Sequence, residues 1–242
     1  MDDGTEDHQA PGIGYGGKTD GEGDGGSDGG HGGENGDENG GDRDGGDRRG
    51  DGEGGLRDRL VGVGVELVNA EGVQALSLRE IARRAGVSHG APRRYFPTHL
   101  DLLSAIARQG FAELAARVAA EDRESAAPRE RIALLARVYL DFAGARRGMY
   151  ELMFRHDLLE SGRLGLRETS LPLFARLAGL VARVHPGAAD PAVLAGALWA
   201  NLHGIAQLWH WGSLRLATGG DDPAPLLAAA LDAHLGPAEP AP

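Results

Sequence analysis

The fold is decided by residues 77–96, SLREIARRAGVSHGAPRRYF, a pattern that predicts two short helices joined by a tight turn. Ser77 can cap the first helix, and Glu80 can reach back to the amide of the cap, which is the spacing of a capping box. Gly86 falls where this helix must end and the backbone needs a left-handed conformation. Ser88 is then expected to cap a second helix that begins at once. This layout predicts a helix-turn-helix, whose second helix enters the major groove of DNA.

The rest of the chain after residue 55 also has the period of amphipathic helices. Apolar residues recur at steps of three and four almost to the end, and no stretch alternates as a strand would. Thr98 with Asp101 gives a second capping signal, and Pro128, Pro191 and Pro223 each fit the first turn of a helix. The sequence therefore predicts an all-α protein, with a three-helix DNA-binding head that contains the helix-turn-helix and a larger helical body.

The N-terminal segment differs in composition from everything that follows. Residues 1–55 hold 22 of the 40 glycines, 16 acidic residues and four basic ones, a net charge of −12. Residues 56–242 carry 20 acidic and 21 basic residues, a net charge of +1, so the acidity of the whole chain does not argue against DNA binding. Because so few apolar residues cannot offset the entropy of an ordered chain, we expect residues 1–54 to form a disordered acidic tail.

Two stretches, VELVNAEGVQALSLREIARRAGVS at 65–88 and YFPTHLDLL at 95–103, resemble the DNA-binding domain of TetR-family transcriptional regulators. The resemblance implies a DNA-binding domain at 55–115 and a ligand-binding and dimerisation domain at 116–236. It also implies that the protein is a sequence-specific DNA-binding transcriptional regulator. The implied protein is a homodimeric repressor that binds an inverted-repeat operator and is released by an unknown small-molecule effector.

The head carries the charge that a DNA-binding domain needs. Between residues 56 and 100 there are seven arginines and four acidic residues, and such charge supplies affinity by neutralising phosphates. Selection of a sequence requires side chains that reach base edges. Arg93 and His99 replace an aromatic residue and a lysine of typical family members, while Arg83 and Arg84 fit a solvated face or phosphate contact equally. The expected DNA-binding residues are Ser88, His89, Gly90, Ala91, Arg93, Arg94, Tyr95 and His99.

A motif in the body, WANLHG at 199–204, resembles the Trp-His-Gly signature of one group of TetR C-terminal domains. Trp199 and His203 are four residues apart and therefore share a helix face. Small residues at 195–197 and 200, together with the last helix, favour a dimerising four-helix bundle. Ligand pockets are mostly apolar with a few polar groups. The expected ligand-binding residues are Phe142, Met153, Phe154, Trp199 and His203, although core packing would explain the same residues.

Several classes of protein are disfavoured by what the sequence lacks. There is no cysteine, no G-x-S-x-G elbow, no phosphate-binding loop and no H-E-x-x-H motif, so we expect no enzyme, metal or cofactor. No run approaches the eighteen apolar residues of a membrane span, and the absence of cysteine fits a cytoplasmic protein. The alternative that stays open is a helical adaptor or small-molecule-binding protein with no DNA role.

Overall fold

The computed structural model describes residues 49–161 and 165–237, and within these ranges all regular structure is helical. The prediction of an all-α fold is confirmed. A single turn of 3-10 helix, Val73–Ala75, lies between the first two α-helices. The α-helices are α1 Arg49–Glu71, α2 Leu78–Arg84, α3 Ala91–Tyr95, α4 His99–Glu121, α5 Pro128–Ala145, α6 Arg147–Met153, α7 His156–Ser161, α8 Leu166–Val184, α9 Pro191–His210, α10 Ser213–Thr218 and α11 Ala224–Leu235.

The head consists of α1, α2, α3 and the first turns of α4. Its centre is formed by large side chains that are fully buried, among them Leu67, Ile81, Phe96 and Leu102. The guanidinium of Arg57 lies 5.5 Å from the centre of the Phe96 ring and covers it from solvent. These contacts hold α2 and α3 against α1, so the helix-turn-helix is a fixed unit.

The predicted cap of α2 is present, but only half of its capping box is formed. The Ser77 hydroxyl accepts a hydrogen bond from the Glu80 amide at 3.1 Å. The Glu80 carboxylate does not return to the cap and instead accepts hydrogen bonds from Arg83 at 2.6 Å and from Arg84 at 2.7 Å. The carboxylate binds the arginines and not the cap amide because a hydrogen bond between ions is stronger than one to a neutral amide.

The prediction that Ser88 caps the second helix is wrong. Helix α3 begins at Ala91, and its cap is Gly90, which has no side chain to bond the first turn. A helix capped by Ser88 would place Pro92 at the fourth helical position, whose amide must donate the first hydrogen bond of the helix. Proline has no such amide, so the helix starts later and Pro92 occupies its first turn. Gly86 has a positive φ of 67°, as the turn requires.

The predicted tail, residues 1–54, lies outside the described residues except for its last six. Residues 49–54 form the beginning of α1, so the boundary expected at residue 55 is too late. Once a helix is nucleated, each further residue adds one hydrogen bond for one residue ordered, so a helix can continue beyond its apolar stretch.

The body is built around α4, which runs from the head into the core of the body. Leu103 and Ile106 are fully buried in its first half, and Leu114 and Val118 are buried in its second half. Helices α5, α6 and α8 pack against α4. Thr98 and Asp101 form the predicted capping box at its start, with hydrogen bonds of 2.8 Å and 3.2 Å. In the described ranges no helix is both long and apolar enough to cross a membrane.

Candidate DNA-binding surface and ligand cavity

The helix-turn-helix presents the predicted DNA-binding residues in two groups. Ser88, His89 and Gly90 are exposed in the turn that precedes α3, and a Cβ added at Gly90 would meet no atom within 4 Å. On α3, Ala91 and Tyr95 are half-buried, and Tyr95 packs against the core of the head. Tyr95 therefore supports α3 as well as bordering its exposed surface.

The arginines of α2 and α3 differ in how they are held. Arg93 and Arg94 are exposed, and Arg93 forms no hydrogen bond or ion pair with the residues that the structure describes. Arg84 is instead bound to Glu71 at 2.5 Å and shares the Glu80 carboxylate with Arg83. Hydrogen bonds from these two arginines lower the pKa of Glu80 to about 2. The cluster on α2 is therefore already paired within the head, whereas Arg93 on α3 has no such partner in the described part of the chain.

His99 has a structural partner that limits how it can contact DNA. Its Nε2 lies 2.9 Å from the carbonyl oxygen of Leu76. A carbonyl can only accept, so Nε2 must carry a proton and donate it. The other ring nitrogen can then donate to a phosphate only when the imidazole is protonated. His99 thus ties the loop before α2 to the start of α4, and the neutral ring has no donor left for DNA.

The body contains one extended apolar cavity of about 490 Å³ within its described part. Its walls come from α4, α5, α8 and α9, and from the residue that follows α6. The lining residues are uncharged, and those with a polar group in the side chain are Tyr139, Ser170 and Trp199. The lining residues are Phe111, Leu114, Val118, Leu135, Ala136, Tyr139, Phe154, Ser170, Leu171, Leu173, Phe174, Leu177, Gly196, Trp199, Ala200 and Leu202.

Only part of the predicted pocket set reaches this cavity. Phe154 and Trp199 line it, but Phe142 and Met153 do not and are fully buried in the core. The Phe142 ring packs under the guanidinium of Arg117 at 5.3 Å, and a Cβ added at Gly110 would lie 2.6 Å from the sulfur of Met153. These two residues therefore do not border this cavity, and the ligand-binding role of the predicted set stays a prediction. Helical spacing shows which residues share a face, but not whether that face meets a helix or a void.

His203 lies one layer behind the cavity wall. Its ring centre is 4.8 Å from that of Phe154 and 6.1 Å from that of Trp199. Its Nδ1 lies 2.8 Å from the Tyr139 hydroxyl and 2.7 Å from the Tyr150 hydroxyl, and these two hydroxyls are 2.8 Å apart. Burial lowers the pKa of His203 and raises the pKa of both tyrosines. All three groups are consequently neutral at pH 7.

The two tyrosines were not predicted as site residues. Tyr139 lies four residues after Leu135 and therefore on the same face of α5, which is a usable signal. Tyr150 lies on α6, and its approach to His203 joins residues 53 positions apart. No local pattern in the sequence indicates that pairing.

A buried ion-pair cluster joins the end of α4 to the cavity wall. The side chain of Asp122, the residue after the last turn of α4, is 1% exposed. Arg131 of α5 binds its carboxylate through two hydrogen bonds, at 2.8 Å and 2.7 Å. Arg176 of α8 binds the same carboxylate. Since α8 also supplies Phe174 and Leu177 to the cavity, this cluster connects the cavity to α4.

The head is thus a helix-turn-helix whose second helix carries two exposed arginines, and one continuous helix joins it to the helical body. The model of a family described as "Bacterial regulatory proteins, tetR family" matches residues 60–106. A second model, described as "Tetracyclin repressor-like, C-terminal domain", matches residues 132–234. The chain belongs to the TetR family of transcriptional regulators.

The chain is similar to several individual proteins. The HTH-type transcriptional regulator BetI of Rhizobium meliloti (strain 1021) is 35% identical over 82 residues, 34% of this chain and 40% of that protein. The chain thus spans about 40% of the length of this curated relative. A Rhodococcus sp. RHA1 protein of unknown function is 31% identical with a TM-score of 0.63, covering 74% of this chain and 93% of the other. A TetR-family member from Streptomyces coelicolor A3 is 26% identical with a TM-score of 0.53, covering 74% and 98%.

Proposed function

We propose that this protein is a homodimeric repressor that binds an inverted-repeat operator and is released by a small molecule bound in its body. The observation that carries the proposal is one continuous helix, α4, which is packed in the head at one end and borders the apolar cavity at the other. An occupant of the cavity can therefore act on the head through buried contacts.

On the DNA side, the proposal places α3 in the major groove. The turn before it has no bulky side chain at Gly90, so the backbone can approach the base edges closely. We assign Arg93 and Arg94 to base or phosphate contacts, with Ser88, His89 and Ala91 at the groove and Tyr95 beside the DNA backbone. His99 joins this set only as a protonated residue.

Dimerisation is supported by apolar surface around the end of α9. Leu208, Trp211 and Leu216 are 39%, 66% and 88% exposed. Leu208 also lines a shallow groove between α9 and α11, together with small residues such as Gly204 and Ala229 and with other large aliphatic ones. Exposed large apolar side chains beside an apolar groove suit a second copy of the same surface. A two-fold axis through this surface would give two heads that read an inverted repeat.

The switch is proposed to act through the cluster at Asp122. A ligand that displaces α8 moves Arg176, which is bound to Asp122, and so shifts the end of α4. Coupling between two such sites is typically ~1–3 kcal/mol and is reciprocal. Operator DNA should therefore weaken binding of the ligand by the same factor by which the ligand weakens binding of DNA.

A gel shift with DNA flanking the gene of this protein tests the regulator itself. We expect Arg93→Ala to weaken operator binding by ~1–3 kcal/mol, because it removes a side chain that reaches a base. Arg83→Ala is the matched control, since this arginine lies on α2, where it is bound to Glu80 of the same helix, and its loss should change affinity less. Unchanged affinity after substitution of both Arg93 and Arg94 would refute the assignment of α3.

The oligomeric state is tested separately. Sedimentation equilibrium of the full chain should give a dimer at micromolar concentration, and Leu208→Arg should give a monomer that binds the operator weakly. A charge introduced into an apolar contact lacks a partner and disfavours the dimer. The wild type sedimenting as a monomer would contradict the proposal of a homodimer, and binding to a DNA site without two-fold symmetry would contradict that of an inverted repeat.

A further inference from the structure

We propose that the cavity takes an uncharged, hydrocarbon-like molecule that forms no hydrogen bond with its walls, and that Gly196 limits the size of this molecule. The inference rests on the proposed ligand-binding role of the body. It adds the chemical class of the ligand and a residue that determines specificity.

The walls of the cavity argue against a charged ligand. None of the lining residues is acidic or basic. A carboxylate or an ammonium group entering this space would lose its hydration without gaining an opposite charge, which is far more costly than burying an apolar group. The cavity is therefore suited to a molecule that is uncharged when bound.

Two of the three polar side chains in the lining are already bonded within the protein. The side chain of Trp199, whose one polar group is a donor, forms a hydrogen bond with the Tyr139 hydroxyl. That hydroxyl also lies 2.8 Å from the Tyr150 hydroxyl and 2.8 Å from Nδ1 of His203. A hydroxyl has one donor and two acceptor sites, and three neighbours use all of them. Neither Tyr139 nor Trp199 therefore has a polar group left for a ligand.

The third polar residue of the lining is Ser170. It is half-buried and adjoins Leu171, which is 59% exposed, so its hydroxyl can keep contact with water. No hydrogen bond from the described residues orients this hydroxyl. A ligand that bound it would have to order it and displace its water, which leaves little net gain. We therefore expect apolar contact, and not a hydrogen bond, to hold the ligand.

The apolar part of the wall contains a cluster of aromatic rings. The centre of the Phe154 ring lies 5.7 Å from that of Phe111 and 6.0 Å from that of Trp199, and Phe174 meets Trp199 edge to face at 6.2 Å. Pairs of aromatic rings are stabilised beyond the area that they bury. A ligand that itself carries aromatic rings can extend this cluster, so it needs no polar anchor.

Gly196 leaves open space on the α9 side of the cavity. Trp199 and Ala200 come three and four residues after it, so the three residues share one face of α9, and all of them line the cavity. A Cβ added at Gly196 would meet no atom within 4 Å. A longer side chain can therefore start here without a clash and occupy room that a ligand would otherwise fill.

A set of diphenylmethane derivatives tests the absence of hydrogen bonding on the full chain without DNA. The probes are diphenylmethane, benzophenone, diphenylmethanol, diphenylacetate and diphenylmethylammonium, each in competition with the neutral dye N-phenyl-1-naphthylamine. The varied group lies between the two rings, so it cannot remain in water while the rings are buried. We expect diphenylmethane to bind most tightly, the ketone and the alcohol at least about fivefold more weakly, and the two ions more weakly still.

The variant Ser170→Ala checks the one wall hydroxyl that has no partner among the described residues. It should change the dissociation constant of diphenylmethanol less than about twofold, because the hydroxyl is not oriented towards a ligand. A loss of tenfold or more for the alcohol, with diphenylmethane unchanged, would show that the wall does recognise a polar group.

The variant Gly196→Leu tests the limit on size. It should weaken binding of diphenylmethane at least about tenfold and binding of the smaller hydrocarbon toluene less than about threefold, because the added side chain fills part of the cavity. Gly179→Leu is the matched control, since this glycine lies in α8 outside the lining and a Cβ there would also meet no atom within 4 Å. The control should bind both hydrocarbons as the wild type does.

The chemical class would be overturned by benzophenone or diphenylmethanol binding as tightly as diphenylmethane, by diphenylacetate displacing the dye at the same concentration as the hydrocarbon, or by no binding of any probe. The role of Gly196 would be overturned by equal losses for toluene and diphenylmethane in Gly196→Leu, or by no loss for either. None of these measurements involves DNA, so a failure of the repressor proposal would appear separately, in the gel shift.

Discussion

Gly148 lies at the joint between head and body, and replacing it by alanine should force the two apart. This glycine is the second residue of α6, and it faces the C-terminal end of α1. A Cβ added there would lie 2.2 Å from the carbonyl oxygen of Val68 and 3.1 Å from Cα of Gly72. Both neighbours are backbone, so rotation of a side chain cannot relieve the clash.

The size of the effect follows from these distances. Real Cβ contacts stay above 3.0 Å, so α1 and α6 must separate by at least about 0.8 Å, the difference from 2.2 Å. Overpacking of a close contact typically costs about 1–3 kcal/mol. We therefore expect Gly148→Ala to lower the free energy of unfolding by about 1–3 kcal/mol and to weaken operator binding, because the displaced helix belongs to the head.

The assay is urea denaturation followed by circular dichroism, with a gel shift on the same samples. Gly179→Ala is the control, because this glycine lies inside α8 and a Cβ there would meet no atom within 4 Å. The control should be more stable than the wild type by roughly 0.5–1 kcal/mol, as alanine favours a helix over glycine. If Gly148→Ala is as stable as the Gly179→Ala control, the close approach of α6 to α1 does not constrain the joint.

Three further predictions concern stability. Asp122→Asn should lower the free energy of unfolding by about 3–5 kcal/mol in urea, because two arginines lose their shared carboxylate; a loss under about 1 kcal/mol would contradict this. Because burial lowers the pKa of His203 below 6.5, the unfolded chain binds the proton first. Stability should thus be full above pH 6.5 and fall as the pH drops towards the folded pKa, and His203→Gln should flatten this dependence in pH-resolved urea titrations. Ser77→Ala should lower the free energy of unfolding by about 1 kcal/mol in the same assay, and Ser88→Ala by less than about 0.5, since only Ser77 caps a helix. Equal losses would show that Ser88 caps a helix as well.

Features that depend on neighbours along the chain could be predicted from the sequence. Ser77 caps α2, Gly86 adopts a positive φ in the turn, and Thr98 with Asp101 starts α4. Each involves residues at most four positions apart, so the chemistry of the short segment decides it. The same locality makes the helix-turn-helix recognisable, and with it the family.

Two local predictions failed because another residue of the same short segment prevents the predicted interaction. Ser88 is a good capping residue, but Pro92 four positions later removes the amide that such a helix needs first. Glu80 has the spacing to complete a capping box, but Arg83 and Arg84 lie on the same side of α2 and bind it more strongly. Both failures are visible in the sequence once the competing interaction is counted.

Only the tertiary structure decided which body residues border a void. Phe142, Met153, Phe154 and Trp199 are all apolar residues in helices or at a helix end, yet the first two pack into the core and the last two line the cavity. Whether a side chain meets another helix or empty space depends on how α4, α5, α8 and α9 pack together, and no one helix contains that information.

The polar contacts of the body have the same origin. His203 meets Tyr139 and Tyr150 from 64 and 53 positions away, and Asp122 meets Arg176 from 54 positions away. Burial turns these groups into directional partners, because a polar atom removed from water must bond to another atom of the chain. The sequence by itself determined the helical class, the caps at Ser77 and Thr98 and the family of this protein, whereas tertiary packing decided the cavity and the residues that line it.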